Sequence, residues 1–160
     1  MSAIAFVKAS PAAISGATHL SVMLLDVLEH VDDPAELVKE AVRLLKPGGT
    51  GVITVPSRNI RIFPWLLQDW ADRRWDHTIR RGYRPEELEK LIIGDGGELV
   101  RTLDMGCFLF RALYLPVSML WRGWQSGARK TLTAMSKVDY RFQSLGAGRG
   151  YIFIEFRKPE

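Results

Sequence analysis

The chain has 160 residues, 47% of them hydrophobic and 25% charged, which is ordinary for one globular domain with its own core; its single cysteine, Cys107, excludes an internal disulfide and suits a reducing compartment. The formal net charge of +4 and pI near 9.4 come from basic residues scattered along the chain, such as Arg73, Arg80, Arg84 and Arg129, and this scatter argues against a nucleic-acid partner. His19, His30 and His77 have no cysteine partners at ligand spacing, so no metal site is expected. No run of about 20 apolar residues and no signal-peptide pattern is present either.

In chain order, Ala3 to Val7 is a short apolar run that suits a strand, and Ser10 to His19, with its Pro, Gly, Ser and Thr, reads as loop. Leu20 to Leu25 is apolar apart from Ser21, the composition of a buried parallel strand. Asp33 then offers an N-cap, Pro34 the first helical position, and Glu36 an acid three residues after the cap. The helix is expected to run to about Leu45, with Leu37, Ala41, Leu44 and Leu45 on one face, and Pro47-Gly48-Gly49 stops it. Thr50 to Val55 is a second buried-strand candidate ending at Pro56. Strand, helix, strand within about 35 residues is a βαβ unit with a right-handed crossover.

Further on, Ile60, Ile62, Phe63, Trp65, Leu66, Leu67 and Trp70 make a dense apolar surface, with a broken helix expected after Pro64. A helix opens at Pro85, carries Glu86 and Glu87 in its first turn, turns Leu88, Leu91 and Ile92 inward, and ends at Gly94 to Gly97. Glu98 to Leu103 reads as a strand. Cys107 to Trp124 is apolar apart from Arg111 and Arg122 and is interrupted by Pro116. It has three readings: a helix pair packed on the sheet, a lid over a lipid-like substrate, or a segment lying on a membrane surface with Trp121 and Trp124 at the polar boundary. After a turn at Gly146 to Gly150, Tyr151 to Phe156 carries strong strand-forming residues.

The stretch Leu24-Leu25-Asp26-Val27-Leu28-Glu29-His30-Val31, followed by Asp33-Pro34, Leu44-Leu45-Lys46-Pro47-Gly48-Gly49 and Val52-Ile53-Thr54-Val55-Pro56, resembles class I S-adenosylmethionine-dependent methyltransferases of the ubiquinone-biosynthesis and small-molecule type. His77 followed by Gly82-Tyr83-Arg84-Pro85-Glu86-Glu87-Leu88 is similar to the acceptor-side segment of that family, and the Gly150 to Phe156 strand resembles its final hairpin. The resemblance covers roughly Ala3 to Phe156 and is most specific from Asp26 to Pro56.

The fold so implied is α/β: a partial Rossmann-like methyltransferase fold with a mostly parallel sheet and an antiparallel terminal strand. It forms one partial domain over residues 1–160, with 57–84 and 107–145 as acceptor-side or lid insertions. The family places Asp26, Val27, Glu29 and His30 beside the methionine portion of S-adenosylmethionine. It places Trp70, Trp75, His77 and Tyr83 on the substrate side, His77 being the candidate for a catalytic role. The sequence lacks the family's glycine-rich loop after its first strand and the acid that ends its second, features required by close approach of the cofactor and by its ribose hydroxyls.

The activity implied is methyl transfer from S-adenosylmethionine to a small hydrophobic acceptor, incomplete in this chain, with the protein supplying alignment and desolvation. Two alternatives stay open. One is a non-catalytic remnant or accessory subunit that pairs with a like or unlike chain through the 20–25 strand edge. The other is a peripheral membrane protein held by 107–124. The expected location is the cytoplasm, with the membrane periphery as the alternative.

Overall fold

The computed structural model describes residues 19–61, 63–74, 81–105, 107–109, 111–113, 116, 125–142 and 150–160. In chain order these form β1 (His19–Leu25), α1 (Pro34–Leu44), β2 (Leu45–Pro56), α2 (Gln68–Arg74), α3 (Pro85–Gly94), β3 (Glu98–Met105), α4 (Gln125–Arg141) and β4 (Tyr151–Arg157). Short 3-10 turns at Leu28–His30 and Trp65–Leu67 follow β1 and precede α2. The expected strand at Ala3 to Val7 and most of the Gly146 to Gly150 turn lie outside the described residues.

The strands form one sheet in the order β1-β2-β4-β3. The expectation of a mostly parallel sheet is corrected by the pairing. Only β1 with β2 is parallel, while β4 is antiparallel to both β2 and β3. The terminal strand is antiparallel, as expected. It inserts between β2 and β3, so a single reversed strand converts two ladders to the antiparallel kind. β1, β2 and β3 still run in the same direction, and their carboxyl ends share one end of the sheet, the end at which open α/β sheets bind ligands.

Local chemistry sets these elements. The Asp33 side chain accepts a 3.0 Å hydrogen bond from the Glu36 amide and Pro34 occupies the first turn, which fixes the start of α1. The buried face of α1 is Val38, Ala41 and Val42 continuing into Leu44 and Leu45, with Leu37 packed at its margin. In α3, Leu88 and Ile92 are fully buried and Leu91 is partly so. These helices share one core with Val22 and Leu24 of β1, Ile53 and Val55 of β2, and Ile152, Ile154 and Phe156 of β4. Each such side chain contributes roughly 1.5–3 kcal/mol by leaving water.

The helix ends at Leu44, just before the Pro47-Gly48-Gly49 stretch expected to stop it, and that stretch is itself absorbed into β2 as a bulge. His19 pairs with Leu45 and Ser21 with Thr50, so 46–49 are extruded from the ladder. Gly48 takes a left-handed φ of 73° there and is held by its amide bonding to the Lys158 carbonyl at 2.9 Å. β1 is not buried on both faces. Met23 and Leu25, opposite to Val22 and Leu24, are exposed, and the outer edge of β1 has no strand partner among the described residues. α4 falls inside the expected 107–145 insertion, as a single long polar helix in which Met135 and Asp139 are buried.

Candidate functional site

Two groups of residues gather at the carboxyl end of the sheet. The first follows β1. Asp26 adopts a left-handed φ of 51°, a conformation that costs a non-glycine residue energy and turns the chain sharply out of the strand. Its amide donates to the Thr54 carbonyl at 2.9 Å, which locks the end of β1 onto β2. The Thr54 hydroxyl lies 3.5 Å from Asp26 Oδ1. Partial desolvation pushes the pKa of the Asp26 carboxyl up, and the Thr54 hydroxyl and the nearby His30 act in the opposite direction.

Val27 precedes the Leu28–His30 turn, and its carbonyl accepts from the His30 amide at 3.0 Å. That turn drives Glu29 inward, where it is 1% exposed. Its carboxyl is pushed up to about 7, first by burial and then by the negative charge of Asp26, against the pull of its own amide and of His30. His30 Nε2 stands 3.9 Å from Glu29 Oε1. Glu29 Oε2 is buried with no hydrogen-bond partner among the described residues. A buried oxygen in that condition is costly unless a donor reaches it, and the exposed Asp26 carboxyl, close enough for its charge to be felt at Glu29, adds to the attraction for a cation.

The second group lies in the loops that leave β2 and β3. Arg61, Phe63 and Trp65 from the first loop, with Phe108, Arg111 and Ala112 from the second, enclose an open cavity of about 360 Å³. Main chain and side chain stitch the two walls together: the Phe63 amide donates to the Arg111 carbonyl at 3.0 Å, and Arg111 Nε donates to the Arg61 carbonyl at 2.6 Å. Phe63 and Trp65 meet edge to face with centroids 6.1 Å apart. The sequence marks the apolar stretch but not the pairing of its two arginines across segments about 50 residues apart. The only sequence signal for it is an arginine inside each of two otherwise apolar runs.

The residues expected on the substrate side are distributed unequally. Tyr83 is fully buried, and its hydroxyl donates to the Leu28 carbonyl at 2.7 Å, beside Glu29. Its amide bonds the Pro56 carbonyl and its carbonyl receives the Arg58 amide, so it holds the exit of β2 in place. Trp70 sits on α2 with about half its surface exposed and is not among the cavity walls. Trp75 and His77 lie outside the described residues, as do Trp121 and Trp124. No helix among the described residues is long and apolar enough to cross a membrane, and no group of metal-ligating side chains gathers among them.

Residues 20–102 match the family described as a methyltransferase domain. The ubiquinone biosynthesis O-methyltransferase of Caulobacter vibrioides is 31% identical over 80 residues, covering 46% of this chain and 31% of that protein. Its counterpart in Psychrobacter arcticus is 33% identical over 95 residues, covering 54% of this chain and 37% of the relative. The chain therefore spans about a third of the length of these curated relatives. Among solved structures, phosphoethanolamine N-methyltransferase 2 of Haemonchus contortus, in complex with S-adenosyl-L-methionine, superposes with a TM-score of 0.58 at 16% identity. That superposition covers 91% of this chain and 34% of the other, a likeness of fold.

Proposed function

This chain belongs to the methyltransferase domain family, and we propose from that premise that it supplies the methionine-side wall of an S-adenosylmethionine site and the acceptor side of a methyl transfer to a small apolar molecule. The observation that carries this reading is the buried Glu29 carboxyl, its Oε2 without a hydrogen-bond partner among the described residues, close to Asp26 at the carboxyl end of a parallel strand. The cofactor, when bound, supplies a methyl group on a positively charged sulfur, together with an ammonium group on the same arm.

Glu29 and Asp26 fit that charged arm. An ammonium donor satisfies Glu29 Oε2, and the paired negative charge stabilises a cation that water would otherwise have to solvate. Asp26 is positioned by Thr54, and Glu29 by the turn that Tyr83 clamps. For the nucleoside end the described residues offer no glycine-rich loop between a strand and a helix, so the fit concerns the amino-acid arm alone. The open cavity after β2 and β3, at the same end of the sheet, offers aromatic walls against which an acceptor would be aligned and, once bound, shielded from water.

Calorimetric titration of the chain with S-adenosylhomocysteine tests the reading. Micromolar binding that weakens on Asp26→Ala and on Glu29→Gln supports it. A well-folded chain that gives no heat, or variants that bind as tightly as the parent, removes it.

A second reading has its own observation. The outer edge of β1 is unpaired among the described residues, and Leu20 and Leu25 beside it are exposed. Such an edge accepts another strand, and the chain then serves as a pairing subunit. Sedimentation analysis separates the two, because a subunit of this kind self-associates or captures a partner and Leu25→Glu weakens that association.

A further inference from the structure

We propose that the cavity between the 61–65 and 108–112 segments takes an acceptor carrying one anionic group, a carboxylate or a phosphate, on a flat apolar body. The role of acceptor rests on the methyltransferase reading; the binding of an anionic amphiphile stands apart from it.

The walls state the chemistry. Phe63, Trp65 and Phe108 line the cavity while remaining 58%, 64% and 60% exposed. Clustered rings left in water are the mark of a surface that something covers. The edge-to-face arrangement of Phe63 and Trp65 leaves aromatic faces available to a flat partner. A volume of about 360 Å³ is at the small end of ligand pockets, enough for a fused ring system with a short substituent.

Charge decides the rest. Among the described lining residues the two ionic side chains, Arg61 and Arg111, are both cations, and none is a carboxylate. Arg111 is held at the cavity by the bond from its Nε to the Arg61 carbonyl. A planar guanidinium recognises carboxylate and phosphate oxygens by paired hydrogen bonds and stacks on aromatic ligands. Rings and arginines together therefore select an anionic group on an apolar body over a neutral or cationic molecule of the same shape.

The test uses the full chain, with naphthalene carboxylate as probe and naphthalene carboxamide as its neutral counterpart of matching shape. Calorimetry is expected to show the carboxylate binding about 5-fold tighter, the size of a solvent-accessible charge pairing. Arg61→Gln, at an exposed position whose main-chain carbonyl is retained, abolishes that preference without changing the melting temperature. Equal affinity for the two probes overturns the proposal, as does a preference that survives both Arg61→Gln and Arg111→Gln.

S-adenosylhomocysteine is titrated in parallel. A carboxylate preference without cofactor binding sustains the cavity proposal and removes the methyltransferase reading; cofactor binding with no preference does the reverse. Sedimentation with anionic phospholipid vesicles that depends on Arg61, with no preference between the soluble probes, overturns the proposal in favour of a membrane-surface patch.

Discussion

The Tyr83 phenol donates a 2.7 Å hydrogen bond to the main-chain carbonyl of Leu28 across 55 positions of sequence. Leu28 and Tyr83 are both fully buried, so the bond joins the turn that carries Glu29 to the segment that leaves β2 for the cavity. Gly82 makes this approach feasible, because a Cβ there would collide with the Pro56 carbonyl. Tyr83 thus acts by holding two halves of the site in register, without surface of its own to offer a ligand.

Tyr83→Phe keeps the ring and deletes the donor, leaving the Leu28 carbonyl without that partner in a buried position. The expected cost is about 1–2 kcal/mol, a fall of roughly 3–6 °C in melting temperature for a chain of this size. Thermal unfolding followed by circular dichroism measures it. A melting temperature equal to the parent's would mean that water replaces the phenol.

Glu29 makes stability depend on pH in an unusual direction. Its carboxyl is raised from 4.5 to about 7 on folding, so between those values the folded chain binds the extra proton. Stability therefore falls as pH rises through this window, and the full penalty is present above about 7. Glu29→Gln removes the ionisation. Allowing for screening by solvent near the turn, the variant gains about 1–2 kcal/mol at about pH 8 and little at about pH 5. Urea unfolding at both pH values checks this, and a gain of equal size at the two would assign the effect to packing. The same substitution weakens cofactor binding under the proposed function, so stability and binding are expected to move in opposite senses.

Gly51 and Phe156 form a matched pair across β2 and β4: they are register partners, and a Cβ on Gly51 would enter the Phe156 ring. Gly51→Ala is expected to destabilise by about 1–3 kcal/mol through overpacking. Phe156→Leu, which frees that space, costs stability in the parent but less when combined with Gly51→Ala. A double-mutant cycle reads the coupling, and strict additivity of the two substitutions would contradict the contact.

The parts of this architecture that sequence reveals are those with local causes. Asp33 and Pro34 announce the start of α1, Pro85 with two glutamates announces α3, and the β-branched and aromatic residues of 151–156 announce the last strand. What sequence conceals is set by distant partners. The antiparallel sense of β4 is legible through the family resemblance, whereas the balance of the sheet is not: with β4 between β2 and β3 and no further strand among the described residues, two of the three ladders are antiparallel. The one-sided burial of β1 is invisible because Met23 and Leu25 are as apolar as Val22 and Leu24. α4 escapes because its sequence is mostly polar: among its described side chains Met135 is the one large apolar residue that is buried, beside Gly127 and Asp139. At the site, Asp26 and Glu29 are legible from the family motif, whereas the burial of Glu29 and the clamp by Tyr83 emerge only from packing.

Arg111 provides the last expectation, because one residue ties both cavity walls. Its carbonyl receives the Phe63 amide and its Nε reaches the Arg61 carbonyl, so side chain and main chain act in parallel. Arg111→Ala removes the side-chain tie and keeps the main-chain one. The Phe63 amide, protected only through this local bridge, is expected to exchange with solvent about 10-fold faster, while the amides of Ile53 and Ile154 in the core exchange as in the parent. Hydrogen exchange followed residue by residue distinguishes the outcomes. Acceleration confined to the 61–67 segment shows that the arginine closes the cavity, acceleration throughout the sheet shows that it supports the fold, and no acceleration shows that the main-chain bond is sufficient. Arg111→Lys separates charge from geometry, since a lysine restores a cation at the wall without the planar donor set that reaches the Arg61 carbonyl. Exchange at Phe63 in that variant is therefore expected to resemble Arg111→Ala more than the parent.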